Sequence, residues 1–177
     1  MPDGSRFSGN FEHGMKEGEG IFTWEDGSEY KGNFSADMFS GLGEYTWPDG
    51  KTYTGQWVKN LMHGKGVYLW QDGRRYTGEF LNDKKHGQGK LTFQDGRIYD
   101  GGWQNGVQHG EAVFMNADGA FRRGLWENGI KKQWLTTKKK TVGGTTNRSN
   151  LSNLNYDDIS SYKNDGASSA TRGREEQ

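Results

Sequence analysis

The chain has 177 residues, with 23 basic and 23 acidic side chains, 29 glycines and no cysteine. Only 30% of residues are hydrophobic while 14% are aromatic; this excludes a thick aliphatic core and favours a thin layer held by rings, each burying roughly 150–250 Å². Zero net charge excludes a global field toward nucleic acid or membrane, and the lack of cysteine excludes disulfides, thiolate chemistry and cysteine-based metal sites.

At the N-terminus, Met1-Pro2-Asp3-Gly4 is followed by no apolar stretch, so no signal peptide is read there. No run approaches the ~18 apolar residues of a membrane span. The expected location is cytoplasmic, with association to the cytoskeleton or to a membrane as the alternative. The first strand signal follows at Phe7, Gly9 and Phe11, an aromatic–glycine–aromatic series at period two with polar residues between. That spacing puts all three on one face of a strand and leaves the other face wet. Gly14, then Gly18 and Gly20, read as the loop of a hairpin. Phe22 and Trp24 begin a second strand, and Asp26-Gly27 forms a tight turn out of it.

This series recurs every 23 residues. Units start at Phe7, Tyr30, Tyr53, Tyr76 and Tyr99, their second aromatics are Phe11, Phe34, Trp57, Phe80 and Trp103, and each closes on an Asp-Gly pair. Such a period marks a repeat array in which each unit packs mainly on its neighbours. The glycine between two aromatics implies that space is needed there, with a ring from the adjacent strand lying over the bare backbone. The expected fold is all-β: an elongated, twisted, single-layer antiparallel meander of tandem 23-residue β-hairpins. The pattern erodes at Ala112, Asn116 and Arg122, with Gly124, Trp126 and Gly129 left of a partial sixth unit starting near residue 122. The array is therefore drawn over residues 1–132. Residues 133–177 are rich in Ser, Thr, Asn, Lys and Gly and read as a disordered polar tail. One apolar island, Leu151, Leu154, Tyr156, Ile159 and Tyr162, lies within it. Asp3-Gly4-Ser5 matches the end of a repeat, so the chain reads as starting inside one, as a fragment of a longer array would.

Tyr53-x-Gly55-x-Trp57, Asn60, His63-Gly64, Gly66 and Asp72-Gly73 resemble the MORN repeat (membrane occupation and recognition nexus). Tyr76, Gly78, Phe80, His86-Gly87, Gly89 and Asp95-Gly96 match it equally well. Glu17 and Ser40 depart from it where His is common. The resemblance implies a single-layer sheet with a groove, serving as an interaction module in cytoskeletal or membrane-junction scaffolds. It also implies, as an alternative, a regulatory repeat section of a larger enzyme such as a phosphatidylinositol phosphate kinase.

No catalytic residue, metal ligand or cofactor is assigned. His63, His86 and His109 share one repeat position, but roughly 10 Å between successive units is too far for a shared ion; they read as loop histidines bonded to backbone. Most Asp residues are turn residues by position. One layer of strands leaves ring surface accessible, and exposed aromatic patches mark partner sites. The expected partner groove is Tyr30, Phe34, Trp47, Tyr53, Trp57, Trp70, Tyr76, Phe80, Tyr99 and Trp103, taking a peptide or helix of a protein partner. Arg122, Arg123, Lys131, Lys132, Lys138, Lys139 and Lys140 form the strongest charge cluster, a contact for an anionic membrane surface. A homodimer through the array ends is a further expected association, and nucleic acid is not expected as a partner.

Overall fold

The computed structural model describes residues 4–135. These residues form six hairpins: β1 (Arg6–Glu12) with β2 (Met15–Thr23), β3 (Glu29–Ser35) with β4 (Met38–Thr46), β5 (Thr52–Val58) with β6 (Leu61–Leu69), β7 (Arg75–Leu81) with β8 (Lys84–Thr92), β9 (Ile98–Gln104) with β10 (Val107–Met115), and β11 (Phe121–Glu127) with β12 (Ile130–Trp134). The twelve strands lie in one sheet in chain order. The all-β meander read from the sequence is what the chain adopts.

Two kinds of turn alternate along it. Inside each hairpin, both central residues take positive φ: 50° and 67° at Lys59 and Asn60, 48° and 66° at Asn82 and Asp83, 50° and 90° at Asn105 and Gly106. Paired positive φ values define the type I′ turn, whose twist suits the flanking strands. Between hairpins, the Asp-Gly pair makes a wider loop. The Gly27 N–H donates to Trp24 O at 3.1 Å, and the Trp24 N–H to Ser28 O at 3.0 Å. Gly27 takes φ 84°, while the Asp26 carboxylate accepts from both the Ser28 N–H and its hydroxyl. Asp-Gly thus closes a three-residue loop with a left-handed glycine, and the two-residue turn belongs to the other junction.

The paired glycines are not the hairpin loop expected of them. Gly64 and Gly66 lie inside β6, and Gly87 and Gly89 inside β8. Gly55 pairs with Gly66, but the next residue, Gln56, pairs with His63, so Gly64 and Lys65 bulge. Gly64 takes φ 56° there, and the Gln56 side chain closes the bulge by accepting the Lys65 N–H at 2.9 Å.

The other glycine of each pair makes room for a ring. A Cβ on Gly66 would lie 2.5 Å from Tyr53 Cε2, and one on Gly55 2.6 Å from the Tyr53 hydroxyl oxygen. The ring therefore comes from two residues earlier on the same strand and covers both glycines, rather than coming from the adjacent strand. Its hydroxyl donates to Gln56 O at 2.9 Å. Tyr30, Tyr76 and Tyr99 repeat this bond on Asn33, Glu79 and Gly102. Tyr30, Tyr53 and Tyr76 are 0% exposed, so a one-layer sheet still has a core, a single file of rings along one face.

The sixth hairpin has a short second strand: β12 has five residues where the other second strands have nine, and ends at Trp134, packed on Trp126 at 5.8 Å. The tail from 136, with its apolar island and Lys138, Lys139 and Lys140, lies outside the described residues, as do Met1, Pro2 and Asp3.

Candidate partner-binding face

The rings of the first strands form a continuous edge-to-face chain. Within units, Tyr30–Phe34, Tyr53–Trp57, Tyr76–Phe80 and Tyr99–Trp103 stand 5.0–5.2 Å apart. Across units, Tyr30–Trp57, Tyr53–Phe80, Tyr76–Trp103 and Tyr99–Trp126 stand 5.0–5.5 Å apart, all near perpendicular. T-shaped pairs at this distance add about 0.5–1.5 kcal/mol each beyond area burial. Where the second aromatic is Trp, the indole reaches the unit before it: Trp57 Nε1 donates to Gly43 O at 3.1 Å and Trp103 Nε1 to Gly89 O at 2.9 Å.

This packing divides the ten groove residues. Tyr30, Phe34, Tyr53, Trp57, Tyr76, Phe80, Tyr99 and Trp103 are buried against one another, while Trp47 and Trp70 are half-buried. Between the array ends, where Phe11 and Trp134 are exposed, half-buried ring area recurs just past the second strands at Trp24, Trp47, Trp70 and Phe93. Cations lie over three of these rings: Lys51 on Trp47 at 5.3 Å, Arg74 on Trp70 at 5.1 Å and Arg97 on Phe93 at 5.1 Å. Each cation also pairs with the aspartate of its own turn, Asp49, Asp72 or Asp95, at 2.7–3.1 Å.

A second position on this face escaped sequence reasoning. Lys16, Phe39, Met62, Lys85 and Gln108 recur at period 23, each placed by its strand beside the second aromatic of its unit. Phe39 stacks flat on Tyr30 at 3.8 Å. Lys85 Nζ sits 4.4 Å over Trp103, 5.4 Å over Trp70 and 5.7 Å over Tyr76. Burial, then the Arg74 charge, hold its ammonium below the usual lysine range. The mixed chemistry of this position hides it from a search for invariant residues; only the register reveals it.

The seams between units carry a reciprocal clasp. The Asn60 N–H donates to Phe39 O at 3.2 Å while the Phe39 N–H donates to Asn60 Oδ1 at 2.7 Å. Asp37 clasps Lys16 and Asp83 clasps Met62 in the same way. At the last two seams Gly106 and Gly129 keep the backbone half, donating to Lys85 O and Gln108 O, and lack the side chain for the other.

Five tandem stretches, 7–29, 30–52, 53–74, 76–96 and 99–121, match the model of the MORN repeat. The chain belongs to the MORN repeat family. No curated protein matches it. The MORN repeat is a non-catalytic repeat, so residues 7–121 form a repeat scaffold. The sixth hairpin, β11 with β12, begins at the last matched residue, Phe121; its first-strand aromatic position is held by Arg122, opposite Phe114 as Tyr76 is opposite Tyr68.

The histidines of the MORN loops sit in the second strands, His63 opposite Gln56 and His86 opposite Glu79. The Nδ1 atoms of His63, His86 and His109 are buried without a hydrogen-bond partner, so the backbone bond expected of them is not made through Nδ1. Among the described residues no group of three or more His, Asp or Glu is placed to hold a metal ion. On the opposite face, a cleft of about 670 Å³ spans three units, lined by Leu42, Thr54, Lys65, Val67, Thr77 and Gln88 over glycine backbone. The basic cluster is distributed. Arg122 and Lys131 lie over Trp134 at 5.8 and 4.3 Å. Arg123 pairs with Glu111 and Lys132 with Glu127, at 2.6 and 3.2 Å. No helix of the described residues is long and apolar enough to cross a membrane.

Proposed function

We propose that this chain is a non-enzymatic scaffold that holds a segment of a cytoskeletal or membrane-associated protein along its ring face. The observation that carries the reading is the row Trp24, Trp47, Trp70 and Phe93, half-buried rings at one repeat position, three of them carrying a cation. Aromatic and arginine side chains with large partly exposed surface are the residues that dominate binding energy at interfaces. Their regular spacing suits an elongated partner touching several units at once, as extended repeat surfaces do.

The test is affinity purification from native cells with mass spectrometry, run in parallel on three proteins. Wild type and Leu42→Lys, altered on the opposite face, should recover the same partner. The double variant Trp47→Ala, Trp70→Ala should lose it while keeping its circular dichroism spectrum. Loss with Leu42→Lys and retention with the double variant would move the site to the cleft over Leu42, Thr54 and Val67.

A second reading rests on Arg122 and Lys131 over Trp134, a ring with two cations of the kind that seats at a membrane interface, continued in sequence by Lys138, Lys139 and Lys140. Basic residues near an anionic surface contribute about 1 kcal/mol each. Co-sedimentation with anionic liposomes should fall with added salt and with the three lysines changed to Gln; binding indifferent to both excludes it.

A further inference from the structure

The molecule contains its own control for Lys85. Lys16 occupies the same position in the first unit, with Nζ 5.8 Å over Phe7 as Lys85 Nζ is 5.7 Å over Tyr76. Lys16 has a carboxylate. Asp37, 21 residues on, accepts the Lys16 N–H at 2.9 Å and its Nζ at 3.0 Å on one oxygen, Oδ1. The residue 21 positions after Lys85 is Gly106. Its N–H still donates to Lys85 O at 2.9 Å, so the seam is closed as it is at Lys16, and only the carboxylate is missing.

The Lys85 amide points into that gap. Leu81 and Lys84 close the two-residue turn, and in an antiparallel ladder the next pair, Phe80 with Lys85, directs its N–H and C=O groups outward. The ammonium is walled by Trp70, Tyr76 and Trp103, and no ion pair of Lys85 is found among the described residues. Arg74, on the Trp70 ring, adds a second cation already paired with Asp72 at 2.7 Å. At the homologous seam the same two donors of Lys16 share one carboxylate oxygen, and around Lys85 the aromatic walls lower the local dielectric and strengthen any anion contact.

We propose that the Lys85–Gly106 seam is a carboxylate-binding notch, filled by an aspartate or glutamate side chain of the partner segment on the ring face. This rests on the ring-face reading of function and gives that partner a chemistry: an acidic residue flanked by groups that pack on Trp70 and Phe93. An anion there restores the contact that Asp37 makes at Lys16.

The test reads the notch without the partner. The full chain, ¹⁵N-labelled, is titrated at constant ionic strength with N-acetyl-aspartate amide, with the neutral isostere N-acetyl-asparagine amide, and with inorganic phosphate, following the amide signals of Lys85 and Gly106. Two variants use residues the array already carries at these positions. Lys85→Met copies Met62 and removes the ammonium; Gly106→Asp copies Asp37 and fills the notch from within. The expected result is a saturable shift with the aspartate probe, absent with the asparagine probe and at least tenfold weaker in both variants. No saturable shift in wild type, or an undiminished one in Gly106→Asp, overturns the proposal. Saturation by phosphate without the aspartate probe overturns the carboxylate assignment. None of these outcomes depends on Trp47, so the notch can fail while the ring-face reading stands.

Discussion

At the scale of single residues, the glycines and the turn acids carry opposite kinds of constraint. Gly66 is fixed by the ring above it, since a Cβ there would meet Tyr53 atoms at 2.5–2.7 Å. Gly66→Ala is expected to cost about 1–3 kcal/mol by overpacking, measured by urea unfolding; an unchanged midpoint would mean the ring is free to move. Asp37 is constrained by what it binds. Hydrogen bonds from the Lys16 N–H, then from the Lys16 side chain, hold its carboxyl below the ordinary 3.8. A lowered folded-state value contributes stability that is present above the ordinary value and lost as pH falls through the lowered one. Asp37→Asn keeps the amide acceptor, as Asn60 does, and removes only the charge. Wild type should therefore unfold at higher temperature than Asp37→Asn at neutral pH, with the difference vanishing in strong acid. A difference that survives in acid would assign it to something other than the ion pair.

At the scale of elements, the unit is a hairpin plus its seam, and the seam is set by one side chain. Asp83 accepts the Met62 N–H at 2.8 Å. Asp83→Gly keeps the positive φ accessible and removes the acceptor, with a backbone-entropy change that an asparagine there does not bring, so it is read beside Asp83→Asn. Its expected cost is about 1 kcal/mol, read as a shift in urea midpoint without a change in slope, while Asp83→Asn should be close to neutral. Equal losses in the two variants would show that charge, and not the hydrogen bond, matters. Much of this unit was legible in the sequence because period two and period 23 each impose a visible mark: Tyr53, Gly55 and Trp57 had to share a face, and Asn60 had to accept positive φ. The bulge was not legible, because Gly64 and Gly66 look alike as letters while one supplies a left-handed backbone and the other an empty space under Tyr53. The clasp was equally hidden: Asp37, Asn60 and Asp83 are ordinary turn residues until the ladder brings residues 21 apart together. On the ring face, the sequence located the rings but not their burial, because it shows each ring and not the neighbour that covers it. Trp47 and Trp70 stay accessible only because they lie just past their strands.

At the scale of the whole array, stability is a sum of units and nearest-neighbour seams, and the seams are unequal. Those at Asp37, Asn60 and Asp83 carry both halves of the clasp, while those at Gly106 and Gly129 carry the backbone half alone. Within the fifth hairpin Ala112 replaces the second glycine of the pair, and a Cβ on its partner Gly101 would lie 2.2 Å from the Ala112 Cβ. The fifth and sixth hairpins should open at lower free energy than the second to fourth, as local units do when their interfaces are weak. The same missing side chain that loosens the seam leaves Lys85 without the carboxylate that Lys16 has, so the stability difference and the proposed notch share one position. Hydrogen exchange measured by mass spectrometry on the full chain tests this directly, comparing wild type with Gly106→Asp. The account predicts that amides of β9–β12 exchange faster than those of β3–β8 in wild type, and that Gly106→Asp slows exchange across β8 and β9. Uniform protection from β3 to β12, or exchange unchanged by Gly106→Asp, would contradict it.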